Sequence, residues 1–285
     1  NYPDLSSITY WGSSSAQYSG TYFNSMVSTL NSTGISEGKA SERLEETLAR
    51  LGSHPFKLIF PDNTIPASGT VTVTVDGGNP PSISVLKAYS GTANGIKGSL
   101  QYVTDHLEWT REKAGSEVVL TSSVEFIPTL SSIVRRSPIV LWLGKNNLRS
   151  SIQPNSATYV LDMHKQVLDY LLPTHKKFVI IGQFSNTGWT ESTSEKARVN
   201  EVNELLKQEY PNQYVDVIEW MRDDATWTRL GLTKTSEDIA QLELGNLPPS
   251  LAASNGTDIM HFSGPAYKDF VDYPLKTKCQ EVIFN

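Results

Sequence analysis

The chain has 285 residues, 38% of them hydrophobic and 19% charged, with a formal net charge of -6. An acidic chain without any run of Lys and Arg lacks the basic face that phosphate neutralisation needs, which excludes a nucleic-acid binder. No apolar run reaches the ~18 residues of a membrane span. Cys279 is the only cysteine, so no internal disulfide can form, and its presence says little about redox compartment. The length suits one large domain or two modest ones. The opening Asn1-Tyr2-Pro3-Asp4 reads as a cut from a longer polypeptide or as a mature form, which leaves localisation open.

Three textures follow one another. Ser7–Trp11 is a short strand rich in β-formers. Phe23, Met26, Val27 and Leu30 then recur at helical spacing, and Leu44, Leu48 and Leu51 do so again after Ser41, a predicted N-cap followed by Glu42, Glu45 and Glu46. From about Pro55 the pattern turns β-rich. Thr70–Val75 alternates at period two and stops at the turn cluster Asp76-Gly77-Gly78-Asn79, and Glu117–Thr121 and Val124–Ile127 read as further strands. From Ser137 the helical rhythm returns. Ile139–Leu143 is a continuous apolar run, as expected of a strand buried on both faces. A helix carrying Val160, Met163, Val167, Leu168 and Leu171 follows, then a strand at Phe178–Ile181. Next come a helix with Val199, Val202, Leu205 and Leu206, a strand at Val215–Ile218 and a last helix from about Pro265. Strands alternating with helices predict an α/β domain with a parallel sheet, formed by residues 1–54 and 133–285. Residues 55–132 read as a small β-rich domain inserted into it.

Open parallel sheets place ligands at the carboxyl ends of their strands. The segments to examine are therefore Gly12-Ser13-Ser14-Ser15, Glu37-Gly38-Lys39-Ala40, Gly144-Lys145-Asn146-Asn147 and Asp258-Ile259-Met260-His261. Together they carry the group types of acyl transfer. A serine hydroxyl needs a base, usually histidine, and the imidazole needs a carboxylate to fix its tautomer. Asp258 and His261, three apart, fit one loop. The developing oxyanion needs preorganised donors. Gly38 can offer an unobstructed backbone N–H and Asn146 a side-chain amide.

These four segments, in this order, resemble the four blocks of the SGNH (GDSL-like) hydrolase family. The resemblance runs through Ile8–Ser14, Gly34–Gly38, Val140–Asn147 and Asp258–Tyr267. It implies a three-layer α/β/α sandwich, with Ser14 as nucleophile, His261 as base and Asp258 as its orienter. The oxyanion hole would comprise the Ser14 N–H, Gly38 and Asn146. No cofactor and no metal would be needed. Ser13 stands where the family usually has Asp, and Asn147 stands where it usually has a second Asp. The resemblance covers roughly Ser7–Leu51 and Ser137–Asp272. An insertion between the second and third blocks resembles phage tailspike and prophage esterases that deacetylate bacterial surface polysaccharides. That narrower likeness implies an acetylated glycan as substrate, an insertion that contacts carbohydrate, an extracellular or virion-associated location and a homotrimer.

Each residue also has an ordinary reading. A serine-rich turn is commonly only a turn, and Ser15 competes with Ser14 for the same register. Asp258 and His261 would also suit an N-cap and a surface histidine. His54, His106, His164 and His175 have no motif around them and read as structural or solvent-facing. Of the six tryptophans, Trp189 in the loop Ser185–Thr190 is the one placed to touch substrate. Two rival functions fit the same residues. One is a glycan-binding module without turnover on an esterase fold, which the Ser13 departure motivates. The other is a lipase- or thioesterase-like enzyme.

Overall fold

The computed structural model describes residues Asn1–Asn285. They form two compact units, one of residues 1–40 with 136–285 and the other of residues 41–135.

In the first unit, β1 (Ser7–Gly12) is buried at every position. It leads directly into α1 (Ser14–Ser28), whose buried face holds Phe23, Met26 and Val27. Leu30, expected on the same helix, lies just past its end. A short strand, β2 (Thr33–Ser36), then pairs parallel with β1 in the register Ser7 to Thr33 through Tyr10 to Ser36. The sequence pattern does not announce β2. It is an edge strand with no fully buried position, so it carries no apolar run.

The second unit begins with α2 (Leu44–Leu51), ahead of the change of texture near Pro55 in the sequence. Its N-cap is Arg43 rather than Ser41. The Glu46 carboxylate reaches back to the Arg43 N–H at 3.0 Å, while Ser41 has φ +69°, outside the extended backbone of an N-cap. Eight strands follow: β3 (Lys57–Ile59), β4 (Thr64–Ile65), β5 (Thr70–Val75), β6 (Tyr89–Ala93), β7 (Ile96–Val103), β8 (His106–Arg111), β9 (Val118–Val119) and β10 (Val124–Pro128). The short helix α3 (Ser131–Val134) ends the unit. Six of the strands close a barrel in the order β10-β3-β5-β8-β7-β6, and β4 pairs with β9 apart from it. Of the expected strand Glu117–Thr121 only β9 forms. Leu58, Val73, Ala93, Leu100, Leu107, Trp109 and Phe126 are buried in the core of this unit. Beside them lies a buried ion pair. Arg50 donates to Glu42 through Nε at 2.9 Å and Nη2 at 2.7 Å, and the Lys87 N–H donates to the same carboxylate at 2.9 Å. The Ser82 N–H donates to Glu46 at 2.9 Å. The two glutamates thus tie the chain at Ser82–Lys87 to α2. Burial pushes the Glu46 carboxyl up to about 7, against the hydrogen bonds that lower it.

The chain returns to the first unit with β11 (Ile139–Trp142), α4 (Lys145–Arg149), α5 (Ala157–Tyr170), β12 (Phe178–Ile181), α6 (Ser194–Glu209) and β13 (Tyr214–Val215). The expected strand at Val215–Ile218 stops after Val215. Asp216 accepts from the Ile218 and Glu219 N–H groups at 3.1 Å each, and this cap turns Val217–Arg222 into a helix. The five-stranded sheet is parallel throughout, in the order β13-β12-β11-β1-β2. Both its faces are buried, as the continuous apolar runs require. Ile8, Tyr10, Val140, Trp142, Val179 and Ile181 share one core with α1 and the C-terminal residues Phe270, Leu275 and Cys279. Thr9, Trp11, Ile139, Leu141 and Ile180, of opposite parity, are buried as well. In α5, His164 is fully buried and donates from Nδ1 to the Val160 carbonyl at 2.8 Å. Burial pushes its pKa down to about 4. No helix is long and apolar enough to cross a membrane.

Candidate active site

The strand order sets the place. The chain leaves β1 for β2 on one side and later returns to β11 on the other, so β1 is the switch point of the sheet. Ligands of open α/β sheets bind in the crevice at the carboxyl end of such a strand. At that end Gly12 pairs with Trp142. Ser14 follows as the first residue of α1, so its N–H is one of the donors with no partner inside the helix. The first helical bond runs from the Gln17 N–H to the Ser13 carbonyl at 3.0 Å. Ser13 is buried and makes no side-chain cap.

Ser14, His261 and Asp258 come together although 247 positions separate the first two. The ionised carboxylate can only accept, so Nδ1–H of His261 donates to Asp258 Oδ2 at 2.9 Å. Nε2 is then the accepting nitrogen of the neutral ring, and the Ser14 hydroxyl lies 3.0 Å from it. Ser15 is buried, and its hydroxyl is not the one facing the imidazole. The other carboxylate oxygen of Asp258 accepts from the N–H groups of Met260 at 2.8 Å and His261 at 3.1 Å. Burial alone would raise the Asp258 pKa. The hydrogen bonds from the His261 ring and these backbone amides outweigh it and hold the carboxyl below its ordinary value.

The loop bearing Asp258 and His261 is tied down at its base and its tip. At the base, Ala252 bridges Phe262, and the Ala253 N–H donates to the His261 carbonyl at 2.9 Å. Ser263 then caps the helix Gly264–Phe270. At the tip, the Thr187 N–H donates to the Ile259 carbonyl at 3.0 Å. Thr187 belongs to the loop that carries Trp189, so the loop after β12 abuts the acid–base loop. Trp189 itself is half-buried, and its carbonyl accepts from the Asn246 side chain at 2.8 Å.

Gly38 and Asn146 follow the strands on either side of β1. The Glu37 N–H donates to the Tyr10 carbonyl at 2.8 Å, and the Lys39 N–H donates to the Gly12 carbonyl at 3.1 Å. Gly38 is thereby pressed against the start of α1. A Cβ at this position would lie 2.1 Å from the Gln17 nitrogen. Asn146 is half-buried on the first turn of α4, between buried Lys145 and buried Asn147. The sequence places these residues at a strand-end loop, but the loop is already helical. Gly144, at φ +100° with Val160 2.5 Å from where its Cβ would be, makes that turn possible. Asn147 donates from Nδ2 to the Pro154 carbonyl at 3.3 Å. An aspartate could not make this bond, which gives a physical reason for the departure at this position.

Two neighbours have no role assigned by the sequence pattern. Tyr18, one helical turn after Ser14, meets the His261 ring edge-on at 5.1 Å and is 46% exposed. The i, i+4 spacing from Ser14 is the pattern that could have found it. Lys145 sits beside Asn146, and no spacing rule distinguishes it.

No family model matches the sequence, and no curated protein matches it. Among solved structures, one described as a "putative acylhydrolase" from Bacteroides fragilis NCTC 9343 superposes with a TM-score of 0.50 at 10% identity. The match covers 98% of this chain and 90% of that one. A "putative GDSL-like lipase" from Parabacteroides merdae ATCC 43184 gives a TM-score of 0.45 at 9% identity, covering 98% of both chains. The first likeness, over nearly the whole of this chain, shows that it shares the fold of that protein, a mixed α/β fold built on a parallel sheet.

Proposed function

We propose that the protein is a serine esterase that removes O-acetyl groups from a carbohydrate, with a bacterial surface polysaccharide as the favoured substrate. The observation that carries the esterase reading is the hydrogen-bonded series Ser14–His261–Asp258 at a helix N-terminus. In this reading His261 Nε2 takes the hydroxyl proton as Ser14 Oγ attacks the ester carbonyl carbon. Asp258 stabilises the imidazolium that results. The oxyanion of the tetrahedral intermediate accepts from the Ser14 and Gly38 N–H groups and the Asn146 amide. His261 next gives its proton to the departing sugar oxygen, leaving acetyl on Ser14. A water deprotonated by His261 attacks that ester, and a second collapse frees acetate and returns the proton to Ser14.

The carbohydrate preference rests on the resemblance of the sequence blocks with their β-rich insertion to tailspike esterases. A tailspike would act as a homotrimer outside the producing cell, and light scattering of the purified chain tests the trimer. The enzyme reading is tested by hydrolysis of p-nitrophenyl acetate and longer acyl analogues. Ser14→Ala is expected to lower kcat by at least ~10⁴-fold, because the members of such a set act as a unit. Equal, negligible rates for wild type and variant would instead favour glycan binding without turnover. Acetate release from acetylated polysaccharides tests the substrate class. Preference for long-chain lipid esters over every acetylated glycan would overturn it.

A further inference from the structure

Lys145 occupies a costly place for a lysine. It is the first residue of α4, where the positive end of the helix dipole disfavours a cation. Its side chain is buried, only 8% exposed, where an ammonium loses its hydration. Three features work against these costs. Nζ lies 3.4 Å from the centroid of the Phe184 ring, over its face, within reach of a cation–π interaction. It donates to the Met260 carbonyl at 3.5 Å. Burial first, and then Arg149 on its own helix, hold its pKa well below the ordinary lysine value, and the attraction of the Asp258 carboxylate only partly opposes them. Met260 lies between Asp258 and His261. Its N–H is held by Asp258, so its peptide groups are held on one side by the loop's own carboxylate and on the other by Lys145.

We propose that Lys145 is a positioning residue that bolts the Asp258–His261 loop to the first turn of α4, so that the base and the Asn146 amide keep one geometry. The proposal rests on the esterase reading for its catalytic consequence, but not for its structural one. Asn146 is the next residue along the same turn. A lysine that fastens the neighbouring turn to Met260 fixes the distance between the group that moves the proton and the group that receives the oxyanion. Misplacement of such groups by about 1 Å costs about 10²-fold in rate. The Thr187 bond to Ile259 holds the loop from the β12 side, and Lys145 holds it from the β11 side.

The test compares wild type, Lys145→Met and Lys145→Arg by amide hydrogen exchange over residues 257–262 and by p-nitrophenyl acetate kinetics. In Lys145→Met, exchange of this loop is expected to accelerate by about tenfold or more, with α5 and β12 unchanged, because one of its anchors opens locally. kcat is expected to fall about 10- to 100-fold with KM within about twofold. Lys145→Arg keeps a donor and a planar cation for the Phe184 face, and it should recover most of both losses. Wild-type exchange in Lys145→Met overturns the proposal, whatever happens to the rate. Should Lys145→Met fail to fold, Lys145→Leu decides in its place, and wild-type loop exchange there overturns the proposal too. A wild-type protein without esterase activity would sink the esterase reading alone, because the exchange result still decides the role of Lys145.

Discussion

At the scale of single residues, the proposed chemistry depends on which imidazole nitrogen carries the proton. Asp258 uses one oxygen for two backbone amides and the other for Nδ1–H. In Asp258→Asn the amide oxygen would stay with the backbone donors, so its NH₂ would face Nδ1. That pairing favours the tautomer with the proton on Nε2, which can no longer accept from Ser14. The expected loss in kcat is on the order of 10⁴-fold with the fold retained. A loss under tenfold, measured on folded protein, would remove Asp258 from the proposed mechanism. Asn146→Ala takes away one oxyanion donor and is expected to lower kcat by about 10²- to 10³-fold with little change in KM. An effect confined to KM would mean that Asn146 binds substrate rather than the oxyanion.

Elements bring these residues within reach of one another, and here the sequence was uneven in what it disclosed. β1, β11 and β12 are legible because strands buried on both faces write continuous apolar runs. The Gly-Lys-Asn-Asn and Asp-x-x-His segments are legible because their residue types are scarce and their chemistry is specific. β2 is not legible, since an edge strand with no buried position leaves no periodic trace. Val217 and Ile218 misled for the opposite reason. A short apolar run suits strand and helix alike, and the Asp216 cap decided for helix. Barrel closure through β10 pairing with both β3 and β6 joins residues far apart in the chain, which local periodicity cannot show. Lys145 was invisible because the partners that define it lie on two other loops. The packing of β2 against α1 also yields a prediction. Gly38→Ala places a Cβ where backbone already lies, so the start of α1 must shift. Activity should fall more than about 10²-fold, through misplacement of Ser14 and displacement of the N–H at position 38, which alanine retains. Retention of near wild-type kcat would show that the segment after β2 moves independently of the nucleophile.

Over the whole molecule, the two compact units should answer pH in opposite senses. His164 has its pKa lowered from 6.5 to about 4 in the folded chain. Its contribution to stability is complete above 6.5 and is lost as pH falls through about 4. Glu46 has its pKa raised from 4.5 to about 7. Its contribution is complete below 4.5 and is lost as pH rises through about 7. Each is worth about 3 kcal/mol. Hydrogen exchange, corrected for its intrinsic pH dependence, should therefore show protection of α5 rising from pH 4 to 7 while that of the barrel strands falls. Parallel trends in both units would refute the assignment to these two side chains. A consequence for folding order follows from the pairing of β1 with β11. Those strands are neighbours in the sheet, yet the residues of the barrel unit separate them along the chain. α2 and α3, at the two ends of that unit, touch each other, so once folded it brings its own ends together. The effective connection between β1 and β11 then shrinks about fourfold, two doublings, which lowers the entropy cost of closing it by about 1.2 kcal/mol. A ribosome releases the barrel before β11. Synthesis from the N-terminus therefore lets the barrel act as a folded clasp, waiting for the strand that completes the crevice around Ser14.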